Sequence, residues 1–182
     1  MTIKYRQQLG DLLKFMNLPL VIAEVGVAEG LFAKQIMDWG TQTLYLIDMW
    51  ETHGLVGDGS FAQEWHDDNL QQVQSRMAVY DHRPEQYVIL QGDSAEMATH
   101  IPDNSLSMVY IDADHSYEGV KRDIEAFYPK VISGGLIAFH DYLSPDYGVQ
   151  QAVTEFCTAN NYIPVIIPET GIMDAGAYFI KH

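Results

Sequence analysis

Five short apolar runs of this chain each end on polar residues whose types can do chemistry. They read Glu24-Val-Gly26-Val-Ala-Glu-Gly30, Asp48, Gly92-Asp93-Ser94, Asp112-Ala-Asp114-His115 and His140-Asp141-Tyr142. Carboxylates accept hydrogen bonds from hydroxyls and amines and attract cations. An imidazole, with its pKa near 6.5, can take up a proton at neutral pH. Five such ends make one rim if the runs are parallel neighbours, because ligands of open parallel sheets bind beyond the carboxyl ends of the strands.

The first of these turns sets limits on the ligand. A turn that cradles a pyrophosphate wants glycine at 26, 28 and 31, so that the backbone can approach the phosphates closely. This chain has Gly26, Ala28 and Leu31, and the glycine that closes the turn is Gly30. Glu24 would repel a pyrophosphate and would favour a cationic group. Asp48 lies 24 positions after Glu24, about the separation at which a second-strand acid reaches ribose hydroxyls. The alternatives for it are an exposed strand-end acid or a helix cap, but the preceding loop favours the ribose role. Asp93, with Ser94 beside it, could accept from an adenine amino group or could cap the following helix, since Asp is favoured at N-caps.

The elements that must position these residues follow from periodicity. Residues 5–16 carry Leu9, Leu12, Leu13 and Met16 at helical spacing. Strands are expected over 20–25, 43–48, 87–91, 106–112 and 136–139, with helices over 29–39, 61–80, 94–100 and 117–131 between them. The last helix is expected to end at Ser133-Gly134-Gly135. A helix over 148–159 and strands over 162–167 and 177–180 complete the chain. Continuous apolar strands alternating with helices mean a mainly parallel sheet covered on both faces. Two final strands with no helix between them predict an antiparallel pair. Residues 51–60 are rich in Gly and read as a mobile loop. This loop with His53 and the preceding Trp50, and the stretch Trp65-His66-Asp67-Asp68, are candidates for covering a substrate, and the second stretch also fits a solvated helix face.

Size and charge narrow the classes. The 182 residues fit one domain spanning 1–182. Ten Lys and Arg against 25 Asp and Glu give a net charge of −15, which disfavours nucleic acid and anionic membranes as partners. No apolar run approaches the roughly 20 residues needed to span a bilayer. The start lacks the layout of a signal peptide, so cytoplasmic residence is expected. Cys157, the single cysteine, is expected as a buried thiol in a helix. Self-association into a homo-oligomer stays open.

Three segments carry a resemblance that covers nearly the whole chain: Ala23-Glu24-Val-Gly26-Val-Ala-Glu-Gly30, Tyr110-Ile-Asp112-Ala-Asp114-His115-Ser-Tyr117-Glu-Gly-Val120 and Gly134-Gly-Leu-Ile-Ala-Phe-His140-Asp141-Tyr142. The chain resembles class I S-adenosylmethionine (SAM) dependent methyltransferases, in particular the metal-dependent O-methyltransferases that act on sugar hydroxyls of macrolides and related natural products. More distantly it is similar to catechol and caffeoyl-coenzyme A O-methyltransferases. The resemblance implies a Rossmann-like α/β fold with a seven-stranded, mostly parallel sheet, an antiparallel last strand and helices on both faces. It implies SAM at Glu24, Gly26, Gly30, Asp48, Asp93, Ser94 and Asp112, and a small-molecule or sugar acceptor. It also implies a divalent metal such as Mg or Mn on Asp112, His140 and Asp141, with His115 as general base. His140 departs from the family, which offers an oxygen ligand there; imidazole suits Mn, Fe, Ni or Zn better than Mg. Two alternatives stay open: a metal-independent enzyme with a nitrogen or carboxyl acceptor, and a SAM- or nucleotide-binding module without catalysis. An oxidoreductase is opposed by Ala28 and Leu31.

Overall fold

The computed structural model describes residues 1–52, 62–80, 86–171 and 174–182. Residues 53–60 of the expected mobile loop lie outside them. The elements run α1 (Leu9–Phe15), β1 (Val21–Val25), α2 (Leu31–Asp38), β2 (Thr43–Asp48), α3 (Gln63–Met77), β3 (Tyr87–Gln91) and α4 (Ser94–Ala98). They continue with β4 (Leu106–Ile111), α5 (Tyr117–Phe127), β5 (Val131–Phe139), α6 (Val149–Ala159), β6 (Val165–Ile167) and β7 (Gly176–Ile180).

The seven strands form one sheet in the order β3-β2-β1-β4-β5-β7-β6. The first five are mutually parallel. β7 runs antiparallel to both β5 and β6, so the reversed strand sits inside the edge rather than on it. Alternation along each strand divides the core. Ile22, Met108, Tyr110 and Leu136 face the side covered by α1, α2 and α3, where Leu13, Ile36 and Val73 bury them. Ala23, Val109, Ile111 and Ile137 face α5 and α6, against Ile124, Phe127, Val153 and Cys157. Every residue of β4 is buried, as befits the centre of a doubly covered sheet. Among the described residues no helix is long and apolar enough to cross a membrane.

Two boundaries differ from expectation for a stated reason. α5 ends at Phe127 rather than near 131, because Pro129 holds Tyr128–Lys130 in a 3-10 turn and cannot continue an α-helix. The chain therefore enters β5 early, at Val131, and Gly134 and Gly135 lie within the strand, where its register against β4 shifts. The sixth strand begins at Val165 rather than at 162, since Pro164 supplies no ladder donor.

Candidate active site

The ends of β1 and β4 approach so closely that a side chain between them has no room. Gly26 adopts φ 85°, and a Cβ there would lie 2.0 Å from the carbonyl oxygen of Asp112. The two ends are laced by Asp112 N donating to Val25 O at 2.7 Å, while Gly26 N donates to Ile47 O at 2.8 Å. Asp48 then fixes the turn: Oδ2 accepts from the amides of Val27 at 2.8 Å and Ala28 at 2.9 Å, and Oδ1 from that of Trp50 at 2.9 Å. Trp50 Nε1 closes the loop on Ala28 O. Gly30, left-handed at the start of α2, packs against Val73 and lines neither cavity described below.

A first cavity lies over these ends, lined by Gly26, Ala28, Asp48, Met49, Ser94 and Asp123 among others. Asp48 thus borders it while its oxygens hold the turn's amides. Asp93, the expected adenine partner, does not line it. Its Oδ1 caps α4 by accepting from Ala95 and Glu96 amides, and its Oδ2 pairs with Arg122 at 3.0 Å. Ser94 does line it, and donates its hydroxyl to Asp123. Burial pushes the Asp123 carboxyl up to about 6, against the opposing hydrogen bond from Ser94. Sequence reasoning missed Asp123, although it interrupts the apolar stripe of Val120, Ile124 and Phe127 on α5.

A second cavity of about 310 Å³ continues from the first and shares Gly26, Ala28, Asp112 and Ala113 with it. Arg6, Glu24, Phe32, Trp65, His115 and Tyr147 add to its walls. Of the stretch singled out on α3, Trp65 lines the cavity, His66 is buried and Asp67 and Asp68 are exposed. Glu24 is 2% exposed, and among the described residues its Oε2 has no hydrogen-bond partner. Burial raises its pKa well above the usual range, helped by the charges of Asp112 and Asp48 and opposed by Arg6. A buried acid in this condition favours a cationic ligand.

At the ends of β4 and β5 two imidazoles alternate with two carboxylates. His115 Nε2 lies 3.2 Å from Asp112 Oδ1 and 3.1 Å from Asp141 Oδ2. His140 Nδ1 lies 3.4 Å from Asp112 Oδ1 and 3.1 Å from Asp141 Oδ1. Asp141 reaches both because its backbone is left-handed, φ 51°, a conformation Asp tolerates better than most residues. Tyr147 stacks on the His115 ring at 4.6 Å. Burial disfavours the charged imidazoles, but the hydrogen bonds to Asp112 and Asp141 outweigh it and lift His115 to about 10 and His140 to about 9. The same bonds hold Asp112 and Asp141 below the carboxylate range despite their burial. Donor atoms of Asp112, His115 and Asp141 all lie within 4.8 Å of one another, an oxygen and nitrogen set that fits a divalent transition ion.

Comparison with known proteins agrees with this architecture. The fold matches that of the O-methyltransferase NovP over 96% of this chain and 77% of that one, at 21% identity and TM-score 0.70. It matches CalS11, calicheamicin methyltransferase, over 97% and 80%, at 18% identity and TM-score 0.69. A ribosomal protein L11 methylase from Lactobacillus delbrueckii subsp. bulgaricus aligns over 97% and 77%, at 16% identity and TM-score 0.61. Curated proteins give no sequence match. The profile of the family described as "Methyltransferase domain" matches residues 23–142, from Glu24 and its turn through Asp141. That span holds both the first cavity and the imidazole–carboxylate cluster, and by it the chain belongs to the methyltransferase-domain family.

Proposed function

We propose that this protein transfers the methyl group of SAM to a hydroxyl of a sugar or another small molecule, with metal assistance. One observation carries the reading: the cavity over the β1 turn opens, through shared residues, onto a cluster of two imidazoles and two carboxylates. The fold alone does not choose the acceptor, since its likenesses include a ribosomal-protein methylase as well as CalS11, which another structure describes as a TDP-rhamnose 3'-O-methyltransferase. The cluster favours a hydroxyl, which needs a proton acceptor to become a competent nucleophile. The net charge of −15 disfavours RNA or DNA.

In this mechanism the adenosine occupies the first cavity and the cationic end of SAM faces Glu24. The acceptor oxygen approaches the methyl carbon in line with the departing sulfur. The C–O bond forms as the C–S bond breaks, the electron pair stays on sulfur, and the rate gain comes mainly from positioning and proton removal. Asp112, His140 and Asp141 are the residues to hold a divalent ion. Bound there, the ion would lower the hydroxyl's pKa and screen the carboxylates that keep both imidazoles protonated. His115 lines the acceptor cavity and His140 does not, so His115 takes the acceptor's proton.

The convergence of Asp112, His115 and Asp141 favours a second division of labour, with His115 as a ligand. Radiolabelled SAM, a panel of sugar and phenolic acceptors, and Mn, Fe, Ni, Zn or Mg after chelation test the function. Turnover undiminished in excess EDTA, with no metal retained, removes the ion from the mechanism. His115→Ala should lower turnover by roughly 10²- to 10⁴-fold while metal affinity holds. If metal affinity collapses instead, His115 is a ligand and the base must be sought at His140.

A further inference from the structure

SAM ends in an amino acid, with an ammonium and a carboxylate on one carbon. Glu24 can meet the ammonium, but a lone buried acid would repel the carboxylate beside it. Among the described residues lining the second cavity, the one permanent cation is Arg6. Its backbone amide donates to Glu169 Oε1, and Glu169 N donates to Lys4 O at 2.9 Å, so the segment before α1 is stitched to the chain beyond β6. The guanidinium lies over the Phe32 ring, 5.0 Å from its centroid. Its polar contacts are long and both run through Nη1: 3.4 Å to the Tyr110 hydroxyl and 3.9 Å to Asp112 Oδ2. A guanidinium has five N–H donors in a fork that matches a carboxylate, and this one is held in place with most of them uncommitted among the described residues.

We infer that Arg6 holds the α-carboxylate of the cofactor, so that Arg6 and Glu24 clamp the two charges of its amino-acid end. The course of the cofactor supports this over an anionic acceptor. Leaving the adenosine cavity, it must cross the four residues common to both cavities, Gly26, Ala28, Asp112 and Ala113. From there the wall divides. His115, stacked with Tyr147, belongs to the imidazole cluster, while Arg6 lies over Phe32 of α2 and reaches that cluster only at Asp112, and Glu24 shares the β1 face of Ile22 that packs toward α1 and α2. The buried Glu24 oxygen, without a partner among the described residues, marks the second side as built for the amino-acid end.

The inference rests on the cofactor assignment above, and calorimetry with two ligands separates the two. S-adenosylhomocysteine carries the amino-acid end; 5′-methylthioadenosine lacks it. Arg6→Met should weaken S-adenosylhomocysteine by roughly 10- to 100-fold, the worth of a charge-assisted pair, and leave methylthioadenosine unchanged. Arg6→Lys, which keeps the charge without the fork, should fall between. Equal weakening of both ligands would make Arg6 a structural residue and overturn the clamp. Unchanged S-adenosylhomocysteine affinity with a raised KM for an anionic acceptor would overturn it too, giving Arg6 to the acceptor. Wild-type protein that binds neither ligand defeats the cofactor reading itself, and the clamp with it.

Discussion

The two halves of the rim use the same residue type in opposite ways. Over β1, β2 and β3, carboxylates mostly meet backbone amides and a hydroxyl: Asp48 ties the first turn, Asp93 caps α4 while its other oxygen pairs with Arg122, and Asp123 accepts from Ser94. Over β4 and β5, Asp112 and Asp141 meet imidazoles. The outcome is a divided electrostatic response. Asp123, buried against a neutral partner, is pushed up to about 6, while Asp141, beside two imidazoles, is held down. Burial alone therefore does not decide what an acid does here. The charge of its partner does, and it separates the half tied to amides and a hydroxyl from the half paired with imidazoles.

The largest effects should follow that division. Asp141→Asn keeps a side chain that tolerates φ 51° but removes the charge shared by both imidazoles. Turnover should fall by roughly 10²- to 10⁴-fold. SAM affinity, measured by calorimetry, should stay within about twofold, because Asp141 lines neither cavity. Asp48→Ala should do the reverse, weakening SAM roughly 10-fold or more as the turn loses three backbone hydrogen bonds. If both variants lose SAM binding equally, the two halves are not separable and the comparison fails.

Asp123 offers a sharper, smaller test. Its folded pKa is raised above the ordinary 3.8, so the folded state binds the extra proton and this group's contribution is lost as pH rises from about 4 through about 6. At neutral pH the buried charge costs about 2 to 3 kcal/mol relative to pH 4, from a shift of about two units. Asp123→Asn keeps an acceptor for Ser94 and has no charge to bury. Urea unfolding at pH 4 and pH 7 should show the variant gaining about that much on the wild type between the two. A pH-independent difference would mean that Asp123 is ionised without penalty, in the manner of the β4 and β5 acids.

How much of this was legible beforehand depends on whether the cause is local. Strand ends, the Gly26 turn and the clustering of Asp112, His115, His140 and Asp141 were readable, because a parallel sheet carries successive strand ends to one rim. The early end of α5 turns on Pro129, a local signal outvoted by the stronger-looking Gly134-Gly135 pair. The place of β7 between β5 and β6 depends on pairing between distant strands, which periodicity does not report. Arg6 was invisible for the same reason: its partners Tyr110 and Asp112 are about a hundred positions away, and nothing in the local pattern around it marks a site. The acid of Asp123 was open to notice, since a carboxylate within a buried helical stripe needs an explanation.

Asp93 should show the smallest effect, and it bears on how strand-end acids are read. Its sequence context suits an adenine contact and a helix cap equally. In the structure Oδ1 takes the amides of Ala95 and Glu96, leaving Oδ2 to a half-exposed pair with Arg122. Removing an Asp cap costs about 1 kcal/mol, and an exposed ion pair adds little to that. Asp93→Ala should therefore lower stability by about 1 kcal/mol in urea unfolding while SAM affinity stays within about twofold. Ser94→Ala, one residue on, should lower both stability and SAM affinity, because Ser94 lines the cavity and its hydroxyl bonds the buried Asp123. If Asp93→Ala weakens SAM tenfold with stability unchanged, Oδ2 leaves Arg122 for the adenine amino group on binding. The cap would then be a resting arrangement, and the two halves of the rim would differ less than their hydrogen bonds indicate.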